Sequence, residues 1–538
     1  MRSRTIPRVQ PESVLNSSQA ESSSTGAQLG AAPVPIRTWL GFGAMCLGMF
    51  MAILDIQVVA TSLPDIRAAL DVGVEQMSWI QTAYLIAEII AIPLTGLLTR
   101  ALGMRRLFTV ALSIFIAASV GCASSGSLPV LIAWRVLQGF SGGVLIPLVF
   151  SAVFLLFPAR RQDIATTIGG ALAVLAPTVG PIVGGWITDT YSWHWLFLIN
   201  VAPGIVAVAV AARLLPREAG DARAVRSLDF TALILMAITL AALEILLKEA
   251  PQRGWTSLLA LSLSVVCGIG GATFLHCTLR AARPVVDLRI LGDRDFALGC
   301  WLSFLLGVGL YGSVYLMPVF LGLVRLHGAF EIGQIMLVTG VAQLLTAPIA
   351  VQVERRCDPK WLSAFGFALF GIGLSMSYFQ TFETDFDQML WPQVVRGVAI
   401  MFCLLPPTRL ALGHLAPERV PNASGLFNLM RNLGGAIGIA LIDTVIWLRA
   451  PEHVDAIVQR LLAGDRATAL FVGLPPERFL GKPLGPVDED IQELARPLVE
   501  RAGLVSAINE AWAMMAAAML LALLGILISA GPKRHSRP

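Results

Sequence analysis

Apolar runs of about twenty residues recur along nearly the whole chain, divided by short polar or charged breaks. A run of that length, wound as a helix, crosses a hydrocarbon core roughly 30 Å thick. Fourteen such runs can be read, starting near Arg37, Met77, Leu107, Leu128, Ile164, His194, Leu228, Trp255, Phe296, Ile332, Trp361, Met389, Asn422 and Ala511. The pattern predicts an all-α integral membrane protein with fourteen transmembrane helices, because a helix satisfies its own backbone hydrogen bonds in lipid.

The runs carry an internal repeat. Arg135-Val136-Leu137-Gln138-Gly139 in the fourth run corresponds to Gln393-Val394-Val395-Arg396-Gly397 in the twelfth, 258 residues on, with the polar pair exchanged. The same offset takes Ala165 to Ala423 and Gly180 to Gly438, and Pro93 to Arg106 resembles Pro348 to Lys360 after a small change of offset. Two similar halves of six spans, with a site between them, are what alternating access requires. The expected organisation is a disordered tail over residues 1–36, a six-helix bundle over 37–215, and two inserted helices with linkers over 216–290. A second six-helix bundle covers 291–531, including a long loop at 449–510, and a short tail covers 532–538. That loop reads either as a solvated spacer with short amphipathic helices or as a docking surface for a partner outside the membrane.

Composition agrees with this picture: 56% of the 538 residues are hydrophobic and 14% charged, with mean hydropathy +0.73. The net charge of +4 does not point to nucleic acid; where the charges sit matters more. Arg100, Arg105, Arg106, Arg160, Arg161, Arg355, Arg356 and Lys360 fall in breaks on one side, whereas the opposite short breaks offer little beyond Arg67, Arg253 and Arg325. By the positive-inside rule both termini are expected in the cytoplasm. The first 35 residues are polar and show no cleavable signal peptide. Seven cysteines without CxxC or framework spacing argue against a disulfide scaffold or a metal site. No phosphate-cradling loop, nucleophile triad or metal-ligand cluster supports an enzyme or an ATP-driven pump, and no cofactor is expected.

Charged groups inside apolar runs narrow the chemistry. An arginine there costs about 2.5–3.5 kcal/mol on insertion scales, so Arg135 should face a partner or a wet cavity. Downstream, Gly169, Ala173, Ala176, Gly180 and Gly184 make one small-residue helix face, and Pro177 and Pro181 weaken the helix there.

Several motifs together resemble the major facilitator superfamily, and within it the fourteen-span drug:proton antiporters of EmrB/QacA type. They are Leu54 to Pro64, Gly96 to Arg106, Arg135 to Gly139, Gly180-Pro181-Ile182-Val183-Gly184-Gly185, Trp195 to Gly204 and Arg431 to Gly435. One departure stands out: Thr99 and Arg100 occupy the place where the family usually carries an acidic loop residue. The resemblance implies a major facilitator fold, two six-helix bundles in pseudo-twofold relation plus two inserted helices, and a proton-driven antiporter in a bacterial inner membrane. It also implies small amphipathic substrates, membrane lipids and, in a Gram-negative cell, a periplasmic adaptor with an outer-membrane channel.

In that frame Asp55 and Arg135 share one membrane depth and are expected to act together in proton coupling, either as a titrating pair or as a fixed polar lock. Glu88, mid-span, is a second proton site, a cation site or a neutral hydrogen-bonding acid. Gln81, Tyr84, Gln138, Tyr311, Tyr315, Gln343, Gln393, Arg396 and Arg431 are expected in substrate binding or gating, with Gly180, Pro181, Gly184 and Gly185 forming the antiporter motif. Gln393 and Arg396 either hold an anionic group or brace their helices, and Glu244 reads as interfacial. A proton symporter for an organic anion or metal chelate, and a non-transporting membrane sensor, remain as alternatives.

Overall fold

The computed structural model describes residues 34–71, 79–218, 220–221, 229–281, 284–474 and 489–529. The tail up to residue 33, the final tail and the basic residues in them lie outside the described residues. Every regular element described is helical: α1 (Ile36–Thr61), α2 (Leu63–Leu70), α3 (Trp79–Leu102), α4 (Met104–Ala123), α5 (Leu128–Leu156), α6 (Ala159–Thr190), α7 (Trp195–Leu198) and α8 (Val201–Leu214). There follow α9 (Phe230–Arg253), α10 (Leu258–Arg280), α11 (Arg294–Leu323), α12 (Ala329–Glu354), α13 (Pro359–Met376), α14 (Phe386–Leu412), α15 (Val420–Leu462), α16 (Arg466–Val472) and α17 (Glu489–Ser529). Thirteen described helical segments are long and apolar enough to cross a membrane, with α7 and α8 together making one of them (Trp195–Leu214). α6 makes the fourteenth when its two arms are counted as one span; they meet at 44° between Pro177 and Ile182. Prolines at 177 and 181 remove backbone donors at that bend.

The repeat read from the residues recurs in the packing. α1 packs on α6 and α8, and α5 on α3 and α4; in the second half α11 packs on α15 and α17, and α14 on α12 and α13. Glycine sets the closest of these approaches. A Cβ at Gly139 would lie 2.2 Å from the Tyr84 carbonyl oxygen, and one at Gly397 would lie 2.5 Å from that of Thr339. The same seam is therefore built twice, each time by the glycine that ends the repeated five-residue motif.

The halves meet through α3 against α15 and α6 against α12. The inserted helices are unequal. α9 touches both α3 and α15, closing the side of the interface, whereas α10 packs mainly on α9 and presents most of its surface outward. The expected loop after the thirteenth span is largely helical. α15 runs on to Leu462 and α17 begins at Glu489, so helices of 43 and 41 residues extend about 60 Å, twice the hydrocarbon thickness. Ile457, Leu461, Ala469, Val472 and Val499 form a small core between these extensions, and Arg449 pairs with Glu510 at 2.7 Å near their base.

Candidate functional site

The Gly139 seam brings α5 so close to α3 that Arg135 donates from Nε to the Ile80 carbonyl at 3.1 Å. Its guanidinium meets Asp55 of α1 at 2.5 Å, and both side chains are fully buried. Two further groups hold the carboxylate: Gln138 Nε2 donates to Oδ1 at 3.0 Å and Asn200 Nδ2 at 2.8 Å. Gln138 also donates to Ser119 Oγ at 2.9 Å and accepts from Arg135 Nη1 at 2.8 Å. The guanidinium carbon lies 4.3 Å from the centroid of Tyr84, whose hydroxyl donates to the Ala52 carbonyl at 3.0 Å. The resulting polar knot ties α1, α3, α4, α5 and the turn before α8. Charge-assisted bonds of this kind compensate much of the desolvation of the ions, so removing one partner costs far more than the pair contributes.

A cavity of about 130 Å³ lies beside the knot, between the halves. Gln57 comes from α1, Gln81 and Glu88 from α3, Glu244 from α9, Tyr311 from α11 and Asn432 from α15. Glu88 receives one weak side-chain bond, from Asn432 at 3.5 Å, and Asn432 accepts from the Tyr311 hydroxyl at 3.3 Å. Gly143 lets α5 lie on the Glu88 backbone, where a Cβ would meet the carbonyl oxygen at 2.6 Å. Glu244 lines this cavity although it reads as interfacial from sequence; α9 wedges between α3 and α15 and turns it inward.

Several expected lining residues are placed otherwise. Tyr84 and Gln138 belong to the polar knot. Tyr315 donates to Asp443 at 2.6 Å, Gln343 faces Met401 Sδ at 3.5 Å, and Arg431 bonds Asn428 at 2.5 Å beneath the Phe150 ring; none of these three lines the central cavity. Gln393 and Arg396 border a separate small cavity inside the second half. Gly180 seats α6 on α1, with Gln57 Cβ 2.3 Å from a built Cβ, and Gly184 and Gly185 are buried. The Pro181 side chain is outside the described residues. Sequence reasoning assigned no role to Asn200 and Asn432, although both lie in quoted motifs; their signal was an amide within an apolar run.

The family model described as Major Facilitator Superfamily matches residues 45–439. The chain belongs to the major facilitator superfamily. This facilitator is 38% identical over 430 residues to the colistin resistance protein EmrB of Acinetobacter baumannii, covering 79% of its own length and 84% of the relative's. It is 30% identical over 494 residues to the multidrug export protein EmrB of Escherichia coli K12, covering 91% and 94%. Among solved structures it superposes on the human organic anion transporter MFSD10 with a TM-score of 0.58 at 14% identity, covering 91% of this chain and 99% of that one. The proton:xylose symporter XylE gives a TM-score of 0.54 at 13% identity, covering 91% and 95%. These two likenesses establish the fold. The family makes the chain a membrane transporter rather than an enzyme.

At the arginine-rich end of this facilitator the halves are latched. Arg355, just beyond α12, pairs with the buried Asp163 of α6, and the pairing raises the Arg355 pKa above its ordinary value. A cavity of about 590 Å³ there is lined by Arg160, Arg161, Asp163, Glu354, Arg355 and Arg409. By the Pro93-to-Pro348 alignment Glu354 takes the place of Thr99, so the second half carries the carboxylate that the first half lacks. Nearer the same end, Ser424 of α15 donates to the Pro147 carbonyl of α5 at 2.7 Å. At the opposite end Gly333 of α12 lies on Ile182 of α6.

Proposed function

We propose that this transporter is a proton-driven antiporter that exports amphipathic, drug-like compounds by alternating access, with the central cavity as its substrate site. The observation that carries this reading is Glu88: a carboxylate on the cavity wall between the moving halves, with one weak amide partner. Such a group can exchange a proton for a cationic or hydrogen-bonding substrate. Asp55, gripped by Arg135, Gln138 and Asn200, acts as the coupling pair's fixed member in this conformation and becomes free to titrate when α5 shifts relative to α1. Inward proton movement supplies about 2.3 kcal/mol per 100 mV, besides any pH difference.

The names of the relatives, multidrug export and colistin resistance, support export of toxic amphiphiles. The basic end faces the cytoplasm in this reading, in a bacterial inner membrane, with both termini on that side. The extended α15 and α17 then project on the far side, where a periplasmic adaptor leading to an outer-membrane channel has a surface to dock. Purified protein in vesicles with an imposed pH gradient tests the reading. A fluorescent lipophilic cation should move opposite to the protons. Movement with the protons indicates symport, and binding without gradient-driven flux indicates a sensor.

A further inference from the structure

The second half of the protein contains a buried cation that no described carboxylate neutralises. Arg396 of α14 is 2% exposed and forms no ion pair with any described carboxylate. Its Nε donates to the Pro392 carbonyl at 3.3 Å, Nη2 points at Met317 Sδ at 3.4 Å, and its guanidinium carbon lies 4.8 Å from the centroid of Trp512. A carbonyl, a thioether and a ring soften the burial of a charge without cancelling it. One turn away Gln393, fully buried, accepts from Thr339 at 3.0 Å, while its Nε2 donor has no partner. Both side chains border a small space of about 20 Å³ together with Ser313, Thr339 and Met317.

The internal repeat explains why there is a space. The offset of 258 that takes Arg135 to Gln393 and Gln138 to Arg396 takes Asp55 to Ser313. In the first half a carboxylate fills this position and bonds both members of the motif; in the second half a short hydroxyl leaves room and the donors remain. A space of this size holds a single particle about as large as a water molecule. A neutral water there would leave the guanidinium uncompensated.

We propose that this space is a binding site for a small monovalent inorganic anion such as chloride, held by Arg396, the free amide donor of Gln393 and the hydroxyls of Ser313 and Thr339. The anion plays in the second half the part that the Asp55 carboxylate plays in the first. This site is separate from the central cavity and does not depend on what the protein exports.

The test is thermal unfolding of the purified full chain in detergent, with chloride exchanged for gluconate at constant ionic strength. Wild type should gain stability with chloride in a saturable way, and bromide should substitute. S313D, which places a carboxylate in the space, should be insensitive to chloride and as stable in gluconate as wild type in chloride. R396M, which removes the charge but keeps an apolar stem, should also lose the chloride response; either variant suffices if the other fails to fold. Equal melting temperatures for wild type in chloride and gluconate, or a chloride response that persists in S313D or R396M, would overturn the assignment.

Discussion

At the scale of single residues the polar knot makes the sharpest demand. Asp55→Asn leaves Arg135 as a buried, unneutralised cation, and Arg135→Gln leaves the carboxylate with amide partners alone. Breaking a buried pair from one side costs about 3–5 kcal/mol, whereas replacing both members costs much less. Each single variant is therefore expected to unfold well below wild type, and the double variant to recover most of that loss while staying inactive in transport. Melting temperatures of the four proteins in one detergent form the cycle, and additive losses would contradict the direct coupling. The pair was readable from sequence because a charge in an apolar run must find a partner, and two spans running in opposite directions put Asp55 and Arg135 at one depth. Asn200 was not, since an amide carries no such obligation. Glu244 was misread because its environment depends on where α9 docks, which its own pattern does not encode.

At the scale of helices the repeated glycine seams govern how closely neighbours pack. Gly139→Val and Gly397→Val each push a branched side chain into a carbonyl of the facing helix, at Tyr84 and Thr339. Overpacking of this kind costs about 1–3 kcal/mol, and because the seams are equivalent the two losses should be similar. Yield and melting temperature measure them; tolerance of either valine would mean that the seam is looser than described. A second element-level case lies outside the membrane. Asp385 caps α14, accepting from the Phe386 amide at 2.8 Å and from Arg325 at 2.6 Å, with His327 at 3.2 Å. Partial burial alone would raise its pKa, but these donors outweigh it and hold the carboxyl below the usual carboxylate range. A depressed folded-state pKa gives stability that is present above the ordinary value and lost as pH falls through the folded one. Asp385→Asn should thus cost about 1 kcal/mol at neutral pH, and the gap from wild type should shrink in acid below the ordinary Asp range. The helical runs themselves were legible because apolar length alone sets a span. The outer segment was not: α15 and α17 continue past the bilayer by packing Ile457, Leu461 and Val499 against each other, which only the pairing of the two helices reveals.

For the whole molecule, function requires the halves to part at one end while they stay joined at the other. The Arg355–Asp163 latch ties the two halves together at the basic end in this conformation. The Arg355 side chain is about half exposed, so the pair contributes at most about 1 kcal/mol, and Arg355→Gln should shift the balance towards opening about two- to fivefold. A cysteine at Ser424, in a background without the natural cysteines, reports this as faster labelling by an impermeant thiol reagent from that end. An unchanged rate would remove the latch from the account. The two-half architecture was visible in the exchange of Arg135 and Gln138 for Gln393 and Arg396, but the contents of the interface were not. Sequence places Glu88 in a span; only packed helices show that it shares a cavity with Tyr311 and Asn432 from the other half.

The most direct measurement is therefore proton-gradient-driven uptake of a fluorescent lipophilic cation into proteoliposomes, wild type against Glu88→Gln, with substrate-for-substrate exchange recorded in the same vesicles. Loss of gradient-driven accumulation in the variant, with exchange retained, is the predicted result. Accumulation by Glu88→Gln at the wild-type rate would contradict the claim that the cavity carboxylate trades protons for substrate.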